Sequence, residues 1–558
     1  WAEGAKPEDY QGPDNTVTVV DNTIEGGKRT VTTTVAQGTD AETKTVQVLD
    51  LATGQAIETT DAAGIKSTAT YDVLGRPLTQ TAYAGIEGKE LVNKITYDSP
   101  TKTTLEGPDG KRTTTETDAL GRQKSVADNV VDGKAEGPDA ARTLSKTTYT
   151  WANNNLVTTV TDTAGRVTTT TTGAAGTQSV TTNPDGTSQR TVSDAVANKQ
   201  SSGTIPKGGS TTSWTNAPAV TTQLTDTPTL TQTVGVRYTN AENSPAPAAA
   251  VSVFDGLGRA QSSTGGDITT TPVYGNGGQA TGATLAPASP EQFPGTEVTA
   301  KGLAGLTGQG MNKKLSEKDG DQRSGRSTVY DAAGRVVSQS EPNGTVHSYH
   351  YNAKGQSEKM VVTGKDGKIL SETVRTYDDA TGRPLTVVVT GEGKDTQKKS
   401  FSYHHKTGQV ESVWDTDNEQ GSKIVYGYDA DGLVTSMTYP DGKQVAQKFD
   451  KAGQLQSSTD ITGATTHYTY NQDGSLKKTA QFKKGDDVET ATPITVVDYD
   501  YDNQGRMSKT VQGNGHTTQR EFHDSGQVKK ETTTTKDGHT VFAGEYAYDS
   551  HGNLTRQT

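Results

Sequence analysis

Several histidine side chains of this sequence are candidates for binding a metal ion or transferring protons. His404 and His405 are adjacent, and His347 lies three residues before His350. Imidazole is a common ligand of transition metals, so both pairs are candidates for a metal site. Residues three apart on a β-strand point to opposite faces, however, so His347 and His350 cannot bind one ion from a regular strand. Structural roles are therefore favoured for these histidines, and no metal or cofactor is predicted.

Aspartates could supply calcium ligands or the acid and base of a glycosidase. Asp429-Ala-Asp431-Gly432 and Asp319-Gly-Asp321 are similar to the start of a calcium loop, but neither continues with the required third oxygen ligand and later Glu. Nearly every other Asp lies in a turn motif, where local hydrogen bonds account for it. The chain has no Cys, no Gly-x-Ser-x-Gly elbow and no phosphate-binding glycine loop, so no catalytic residues are predicted.

The composition predicts extended sheet with little core. Only 29% of the 558 residues are hydrophobic, yet 21 Tyr and many Thr and Val residues favour strands over disorder. The net charge of -12 is spread without acidic or basic blocks, so nucleic-acid binding is not predicted. No segment approaches the roughly 20 apolar residues that a membrane span requires. The absence of Cys leaves the redox compartment open.

An aromatic residue followed by Asp, two or three variable residues and Gly recurs along the chain. The predicted repeat residues are Tyr71, Asp72, Gly75 and Arg76; Phe254, Asp255, Gly258 and Arg259; Tyr330, Asp331, Gly334 and Arg335; Tyr377, Asp378, Gly382 and Arg383; Tyr428, Asp429 and Gly432; Phe449, Asp450 and Gly453; Tyr501, Asp502, Gly505 and Arg506; Tyr548, Asp549 and Gly552. From Asp429 to Asp450 the step is 21 residues, and Pro440-Asp441-Gly442 lies midway. Each repeat is therefore predicted to hold two turns and two strands.

The chemistry of the motif explains its residue types. Asp at the first position of a type I turn accepts hydrogen bonds from the following amides, and Gly at the fourth position adopts positive φ and completes a bulged hairpin. Segments between the turns, such as Lys443–Phe449, alternate large and polar residues and predict strands. We expect each aromatic ring to pack on the next hairpin. The Arg after Gly is expected to reach a neighbouring Asp or aromatic ring.

Three segments are predicted from how regular the repeats are. Residues 1–225 form a degenerate ribbon, 226–325 an irregular insertion rich in Pro, Gly and Ala, and 326–558 a regular ribbon that is truncated at its C-terminal end. The chain begins at Trp1 without an initiator Met or a signal-peptide pattern. We therefore expect a fragment or a processed piece.

The series of Tyr-Asp-x-x-Gly-Arg copies, with Pro-Asp-Gly turns between them, resembles the YD repeats of Rhs proteins. This family also includes WapA proteins, the B and C components of Tc toxins, and teneurins. The resemblance implies an all-β fold in which an antiparallel β-hairpin ribbon spirals into a hollow shell or part of one. In the family the shell normally ends in an Asp-Pro autoproteolysis motif before a toxin. The chain has no Asp-Pro dipeptide, so both the cleavage function and the toxin are expected to be absent from it.

The leading functional hypothesis is a non-catalytic shell segment for toxin delivery, secreted by or on the surface of bacteria. Its partners would be an enclosed toxin or other cargo polypeptide and the remaining shell segments of the same protein. An alternative hypothesis is a teneurin-like adhesin that binds a surface glycan or receptor. A polysaccharide-cleaving β-solenoid ranks last, because the sequence offers no catalytic constellation.

Overall fold

Antiparallel β-structure runs through nearly all of the chain that the computed structural model describes. The described residues are 17–137, 140–194, 199–209, 219–227, 229–237, 250–255, 259–265, 268–274, 280–287, 327–341, 343–523, 526–548 and 554–558. The chain divides into two compact units. Unit 1 comprises Trp1–Thr113, Asp267–Tyr426 and Tyr439–Asp441, and unit 2 comprises Thr114–Gly266, Gly427–Thr438 and Gly442–Thr558.

Strands of the first half are rich in Thr and Val, whose branched side chains fit a pleated sheet. They are β1 Thr18–Glu25, β2 Lys28–Val35, β3 Thr43–Asp50, β4 Ala56–Thr60, β5 Lys66–Tyr71, β6 Pro77–Ala82, β7 Leu91–Ser99, β8 Lys102–Glu106, β9 Arg112–Thr117, β10 Gln123–Asp128, β11 Val130–Val131, β12 Lys134–Ala135, β13 Arg142–Ala152, β14 Asn155–Asp162, β15 Val167–Gly173, β16 Gln178–Thr182, β17 Ser188–Asp194, β18 Lys199–Ile205, β19 Ala219–Thr227, β20 Thr229–Arg237, β21 Ala250–Phe254, β22 Ala260–Gly265, β23 Ile268–Tyr274 and β24 Ala280–Pro287.

Strands of the second half commonly end at the aromatic residue of a repeat. They are β25 Ser327–Tyr330, β26 Val336–Ser340, β27 Val346–Tyr351, β28 Ser357–Thr363, β29 Ile369–Tyr377, β30 Pro384–Gly391, β31 Lys394–Tyr403, β32 Val410–Asp415, β33 Ile424–Tyr428, β34 Val434–Thr438, β35 Gln444–Phe449, β36 Leu455–Thr459, β37 Thr465–Tyr470, β38 Leu476–Phe482, β39 Thr495–Tyr501, β40 Met507–Gln512, β41 Thr517–Phe522, β42 Val528–Thr534, β43 Thr540–Tyr548 and β44 Leu554–Gln557.

Successive strands pair as antiparallel hairpins, and their register shifts beside the repeat turns. In unit 1, β5 pairs with β6, and the register shifts between Thr70 and Tyr71. In unit 2, the same shift lies directly before Tyr470 and Tyr501. Each shift accommodates one extra residue, as in a β-bulge, and the hairpin then closes over the turn. The predicted all-β, antiparallel hairpin ribbon is confirmed.

Few apolar side chains are fully buried in either unit. Among the described residues of unit 1, the buried hydrophobic side chains are Ala36 and Ala41. In the described part of unit 2 they are Val130, Val180, Ile205 and Phe482. Most strand side chains are instead half-buried. Pairing and packing between neighbouring hairpins therefore carry the stability that a thick core supplies in other domains.

The segment predicted as an irregular insertion contains strands. Strands β20 to β24 lie within residues 226–325, whereas residues 288–326 lie outside the described part of the chain. The division of the chain into three segments stays a prediction.

Among the described residues, one short helix occurs, α1 Glu419–Ser422 in unit 1. Asn418 caps it, because its side-chain oxygen accepts a hydrogen bond from the Gly421 amide at 3.1 Å. No helix in the described ranges has the length and apolar character that crossing a membrane requires.

Candidate functional site: the stacked YD turns

The repeat turns, here called YD turns, are closed by backbone and side-chain hydrogen bonds. In the Tyr71 copy the Gly75 amide donates to the Asp72 carbonyl at 3.0 Å, and the Asp72 amide donates to the Arg76 carbonyl at 2.9 Å. The Asp72 carboxylate accepts from the amides of Leu74 and Arg76, both at 2.9 Å. Gly75 has a φ of 80°, which glycine adopts without steric cost. Asp72 thus supplies the side-chain acceptor of the turn, and Gly75 supplies its positive φ.

The Arg that follows the turn glycine pairs with the Asp of its own turn. Arg76 Nε donates to Asp72 Oδ2 at 2.8 Å, and Arg76 Nη2 lies 2.7 Å from the same oxygen. The other described pairs of this kind are Asp118–Arg122, Asp162–Arg166, Asp255–Arg259, Asp331–Arg335 and Asp502–Arg506. From the sequence, the acidic partner of this Arg was expected to be a neighbouring Asp. The turn instead brings residues four apart side by side, so the nearest carboxylate belongs to the same motif.

The same Arg also lies over the aromatic ring of the following repeat. In unit 1, Arg76 Cζ is 4.0 Å from the centroid of the Tyr97 ring, and Arg335 Cζ is 4.4 Å from that of Tyr351. In unit 2, Arg506 Cζ is 4.5 Å from the centroid of the Phe522 ring. These distances fit cation–π contacts. Each of these three Arg residues therefore joins its own turn to the next one.

Tyrosine hydroxyls join the repeats in the opposite direction. The hydroxyl donates to the carbonyl two residues after the turn glycine of the preceding repeat, and we call this series the tyrosine ladder. Its described members are Tyr71 to Ala56, Tyr97 to Pro77, Tyr149 to Gln123, Tyr351 to Val336, Tyr377 to Ser357, Tyr403 to Pro384, Tyr470 to Leu455 and Tyr501 to Leu476, at 2.6–3.1 Å. The ladder gives the motif Tyr a role that no Phe copy can fill.

Where Gln replaces the Arg, it makes an equivalent link to the next repeat. Gln356 Nε2 donates to the Gly382 carbonyl at 3.0 Å, and Gln454 Nε2 donates to the Gly474 carbonyl at 3.0 Å. These two copies are therefore connected to the next repeat although they lack the motif Arg.

In unit 1, YD turns of the second half of the chain contact turns of the first half. A Cβ on Gly382 would lie 2.7 Å from Ile65 Cδ1, so the isoleucine packs directly on the glycine. Arg383 Nη2 donates to the Tyr83 hydroxyl at 3.1 Å. The Arg383 side chain thereby leaves Asp378, whose carboxylate accepts from the Thr381 hydroxyl at 3.0 Å. The long turn of this copy, with three residues between Asp and Gly, frees its Arg for this contact.

In unit 2, Arg142 joins two segments that are 289 residues apart in sequence. Its guanidinium donates to both oxygens of Asp128, at 2.9 and 2.5 Å, and to both oxygens of Asp431, at 2.8 and 2.9 Å. The Asp128 side chain is 0% exposed and that of Arg142 is 14% exposed. Beside them the Ala430 amide donates to the Gly133 carbonyl at 2.8 Å. We call Asp128, Arg142 and Asp431 the arginine clamp.

Sequence reasoning missed the arginine clamp. Leu433 stands where the repeat normally has Arg, so the Tyr428 copy lacks its own cation. That replacement is the one local signal that a distant Arg approaches this turn. Two hydrogen-bonded carboxylates raise the pKa of Arg142 above its ordinary value, with Asp128 as the larger cause, so the guanidinium stays charged.

Hydrogen bonds within the YD turns favour ionised Asp. The Arg76 amide, followed by the Arg76 side chain, holds the pKa of Asp72 below its ordinary value, although burial opposes this. At Asp118 the side chain of Arg122 is the largest cause of a lowered pKa. Each donor binds the charged carboxylate better than the neutral acid.

The contribution of these Asp residues to stability is therefore expected to be constant above about pH 5 and to fall below about pH 4. An Asp whose pKa is lowered by folding stabilises the protein above the pKa of the unfolded state, and that stability is lost as the pH falls through the folded-state pKa. Thermal unfolding from pH 7 to pH 2 measures the effect. The variant Asp72→Asn, Asp118→Asn keeps the turn acceptors, as Asn352 shows naturally with the Gln356 amide at 2.9 Å. A melting profile as steep as that of the wild type in this variant would contradict the assignment.

Removing one ladder hydroxyl is expected to cost about 0.5–1.5 kcal/mol. In Tyr470→Phe the Leu455 carbonyl loses a donor at 2.8 Å, whereas the ring stays in place. Tyr468→Phe, on the same strand, is the matched control, and its change is expected to be smaller than that of Tyr470→Phe. Chemical denaturation of both variants measures the difference. Equal losses would mean that the ladder hydrogen bonds contribute nothing measurable.

The candidate histidines occupy turn and strand positions. His404 takes the place of the turn Asp, because its carbonyl accepts from the Gly408 amide at 2.8 Å and its Nδ1 lies 3.1 Å from the Thr407 hydroxyl. His405 lies beside it, with ring centroids 5.1 Å apart. Both His347 and His350 lie on β27, three residues apart. Asp319 and Asp321 lie outside the described residues, and in the described ranges no group of three or more His, Asp or Glu side chains could hold a metal ion.

Of the other predicted repeat residues, three cannot be placed, and the rest lie in turns or at the end of a strand. Gly258, Asp549 and Gly552 lie outside the described residues. Gly334, Gly432, Gly453 and Gly505 have φ between 75° and 82°. Tyr548 packs edge-on against His523, with centroids 5.9 Å apart. Asp429 and Asp450 close their turns without a motif Arg.

Comparison with known proteins agrees with this geometry. Residues 312–495 match the family model described as the teneurin YD-shell. The crystal structure of TcdB2-TccC3 matches 96% of this chain and 30% of its own, with 14% identity and a TM-score of 0.53. That of TcdB2-TccC3-TEV matches 96% of this chain and 32% of its own, with 13% identity and a TM-score of 0.54. No curated protein shows significant sequence similarity to the chain.

The chain thus has the YD-shell fold, and its predicted resemblance to the YD-repeat family is confirmed. It spans less than a third of TcdB2-TccC3, so what the larger proteins do does not transfer directly.

Proposed function

We propose that this chain is a non-catalytic wall segment of a shell that encloses a toxin or another polypeptide cargo. The observation that carries the proposal is the match of 96% of the chain to the TcdB2-TccC3 fold. The remaining wall would come from further shell segments of the same protein. A secreted or bacterial cell-surface location belongs to the same proposal.

The contacts between repeats support a wall. The arginine contacts and the tyrosine ladder link consecutive turns of the ribbon. In each unit some of those turns also contact segments from the other half of the chain. A ribbon held laterally in this way gains rigidity without a thick core. A wall that is one sheet thick has two wetted faces, so it also fits the small number of buried apolar side chains.

The roles of the ionisable residues support the absence of catalysis. The motif carboxylates accept hydrogen bonds from their own turns, and most of their Arg partners are held in ion pairs. Groups held in this way are poorly placed to transfer protons or attack a substrate.

An electron-microscopy envelope of the purified full chain tests the wall. We expect a curved wall or a closed hollow particle. A straight solid rod would overturn the proposal and favour the adhesin. A glycan array would then show whether such a rod binds carbohydrate.

A toxicity assay tests the non-catalytic part. Cells that express the full chain are expected to grow as well as cells with an empty vector. Robust growth inhibition that a single substitution abolishes would show an active site, and would contradict the proposal. The variant Arg29→Met serves as the neutral control, because Arg29 makes an exposed hydrogen bond to Asn22 and no motif contact.

A further inference from the structure

Successive hairpin turns lie at opposite ends of the strands, so each half of the ribbon has two edges. In the second half of the chain the YD turns form one edge, and the turns between them, such as residues 364–368, form the other. The YD turns of that half contact the first half, as Gly382 shows with Ile65 in unit 1 and Gly505 with Asp185 in unit 2. The opposite edge of each half takes no part in this contact.

Four lysines cover a turn glycine that lies 21 residues upstream. A Cβ on that glycine would lie 2.6–3.1 Å from the lysine side chain. The pairs are Gly186 and Lys207 in the first half, and Gly344 and Lys365, Gly463 and Lys484, and Gly515 and Lys536 in the second half. Since the aliphatic stem lies on the glycine, the ammonium group is presented beside the turn. All four lysines therefore occupy the same position relative to their turns.

Lys207 shows what a lysine in this position contacts. It lies on the first-half edge that meets the second half, and its amide donates to the Asn503 carbonyl at 2.6 Å. Although burial opposes the shift, hydrogen bonds from Ser475 and the positive charge of Lys207 lower the pKa of Asp473. Asn503 and Asp473 both belong to YD turns of unit 2. The partner of this lysine position is therefore the YD turns of a neighbouring ribbon.

The other three lysines lie on the second-half edge that faces away from the first half, here called the lysine edge. Lys365, Lys484 and Lys536 are exposed, and within the described ranges they form no ion pair. Exposed aliphatic side chains follow Lys365, because Ile369 is 53% exposed and Leu370 is 39% exposed. The lysine edge thus has the chemistry of Lys207 without its partner.

YD turns without such a neighbour lie on the opposite edge of the first half. In unit 1, Val73 is fully exposed and Leu74 is 73% exposed; in unit 2, Leu120 is 78% exposed. A Cβ on Gly121 would have no atom of another residue within 4 Å, except those of its chain neighbours, whereas the second-half glycine Gly505 is covered by Asp185. We call these turns the free YD turns.

We propose that the lysine edge of one copy of this chain docks on the free YD turns of a second copy, in the way that Lys207 docks on the YD turns of unit 2. Lysine ammonium groups face Asp carboxylates in this contact, and the exposed aliphatic side chains of both edges pack together. The second copy is selected because the contact continues one that the chain already makes, and because every copy carries both edges. Since the two edges differ, the contact is head-to-tail. The inference goes beyond the proposed shell function, which needs no second copy.

Sedimentation velocity of the purified full chain over a concentration series gives the Kd of self-association. The first variant reverses the charges of the lysine edge: Lys365→Glu, Lys484→Glu, Lys536→Glu. It is expected to raise Kd about tenfold or more, because repulsion replaces attraction. The matched control makes the same change of net charge at three exposed strand lysines: Lys448→Glu, Lys477→Glu, Lys529→Glu. Its Kd is expected to stay within about twofold of that of the wild type.

A second variant tests the partner edge. Val73→Lys, Leu74→Lys places positive charge where the lysine edge is expected to dock, and it too is expected to raise Kd about tenfold or more. Its control, Val20→Lys, Val329→Lys, changes strand residues that are 53% and 51% exposed and is expected to leave Kd within about twofold.

Cross-linking of the wild type covers the case in which a variant fails to fold. A carbodiimide joins Lys to Asp or Glu where the two are in contact, and mixing unlabelled with heavy-isotope-labelled chains identifies links between copies. Such links are expected between the lysine edge and Asp50, Asp72 or Asp118. A chain that stays monomeric at every concentration overturns the inference and leaves both edges to further shell segments. Self-association that ignores both variants overturns it as well. Neither result affects the shell proposal, which the electron-microscopy envelope tests.

Discussion

Replacing Arg142 by Met is expected to destabilise unit 2 by about 3–5 kcal/mol. The side chain of Asp128 is 0% exposed, so loss of the guanidinium leaves a buried carboxylate without its cation. Met keeps much of the volume, and the effect therefore reports charge and hydrogen bonding rather than a cavity. Hydrogen exchange measured by mass spectrometry on peptides spanning β11 and β12 should show amide protection reduced by about 100-fold or more.

Three further variants establish the cause. Arg29→Met removes an exposed hydrogen bond to Asn22 and is expected to change stability by less than about 0.5 kcal/mol. Asp431→Asn is expected to cost less than Arg142→Met, because Asp128 still holds the guanidinium. Adding Asp128→Asn to Arg142→Met is expected to recover part of the loss, because no buried charge then remains unpaired. An Arg142→Met protein as stable as Arg29→Met would refute the arginine clamp.

The second large effect is expected at a turn glycine. Gly505 has a φ of 77°, and a Cβ at this position would lie 3.0 Å from Asp185 Oδ2. Gly505→Val therefore combines backbone strain of about 1–3 kcal/mol with crowding against a turn of the other half of unit 2. Gly334→Val, at a φ of 75°, is expected to show the strain as well. The melting temperature of each variant measures the loss.

Controls separate strain from crowding at this site. Gly453→Val has nearly the same φ of 78°, but the nearest side-chain atom, Leu433 Cδ1, is 3.9 Å from the added Cβ. It is expected to lose only the strain contribution. Gly505→Asn should recover part of the loss, since Asn tolerates positive φ better than Val. If Gly505→Val and Gly334→Val have the same melting temperature as the wild type, the assigned turn geometry is wrong.

Hydrogen bonds were predictable from the sequence wherever the donor and the acceptor lie within a few residues of each other. Asp72 and Gly75 act inside one turn, so their residue types and spacing predict its hydrogen bonds. The strands followed from alternation and β-branched residues, and the all-β fold was predicted for that reason. The partner of the motif Arg was predicted less well. Two acceptors, an Asp and an aromatic ring, were foreseen, but only the turn geometry shows that the Asp is four residues upstream.

Contacts between distant repeats had no such local signal. The Tyr470 hydroxyl reaches the Leu455 carbonyl because neighbouring hairpins align, and a backbone acceptor leaves no trace in the sequence. Ile65 on Gly382 is also invisible, because glycine was already explained by its positive φ.

The sequence by itself determined the repeating unit of this protein: two strands, two turns and the residues that close each turn. These depend on backbone preferences and hydrogen bonds that span about five residues. The tertiary structure alone decided which turns meet across the ribbon and which side chains join them. Arg142 and Asp431 show the reason, because their 289-residue separation is closed by the accumulated geometry of all the hairpins between them. No single motif encodes that sum.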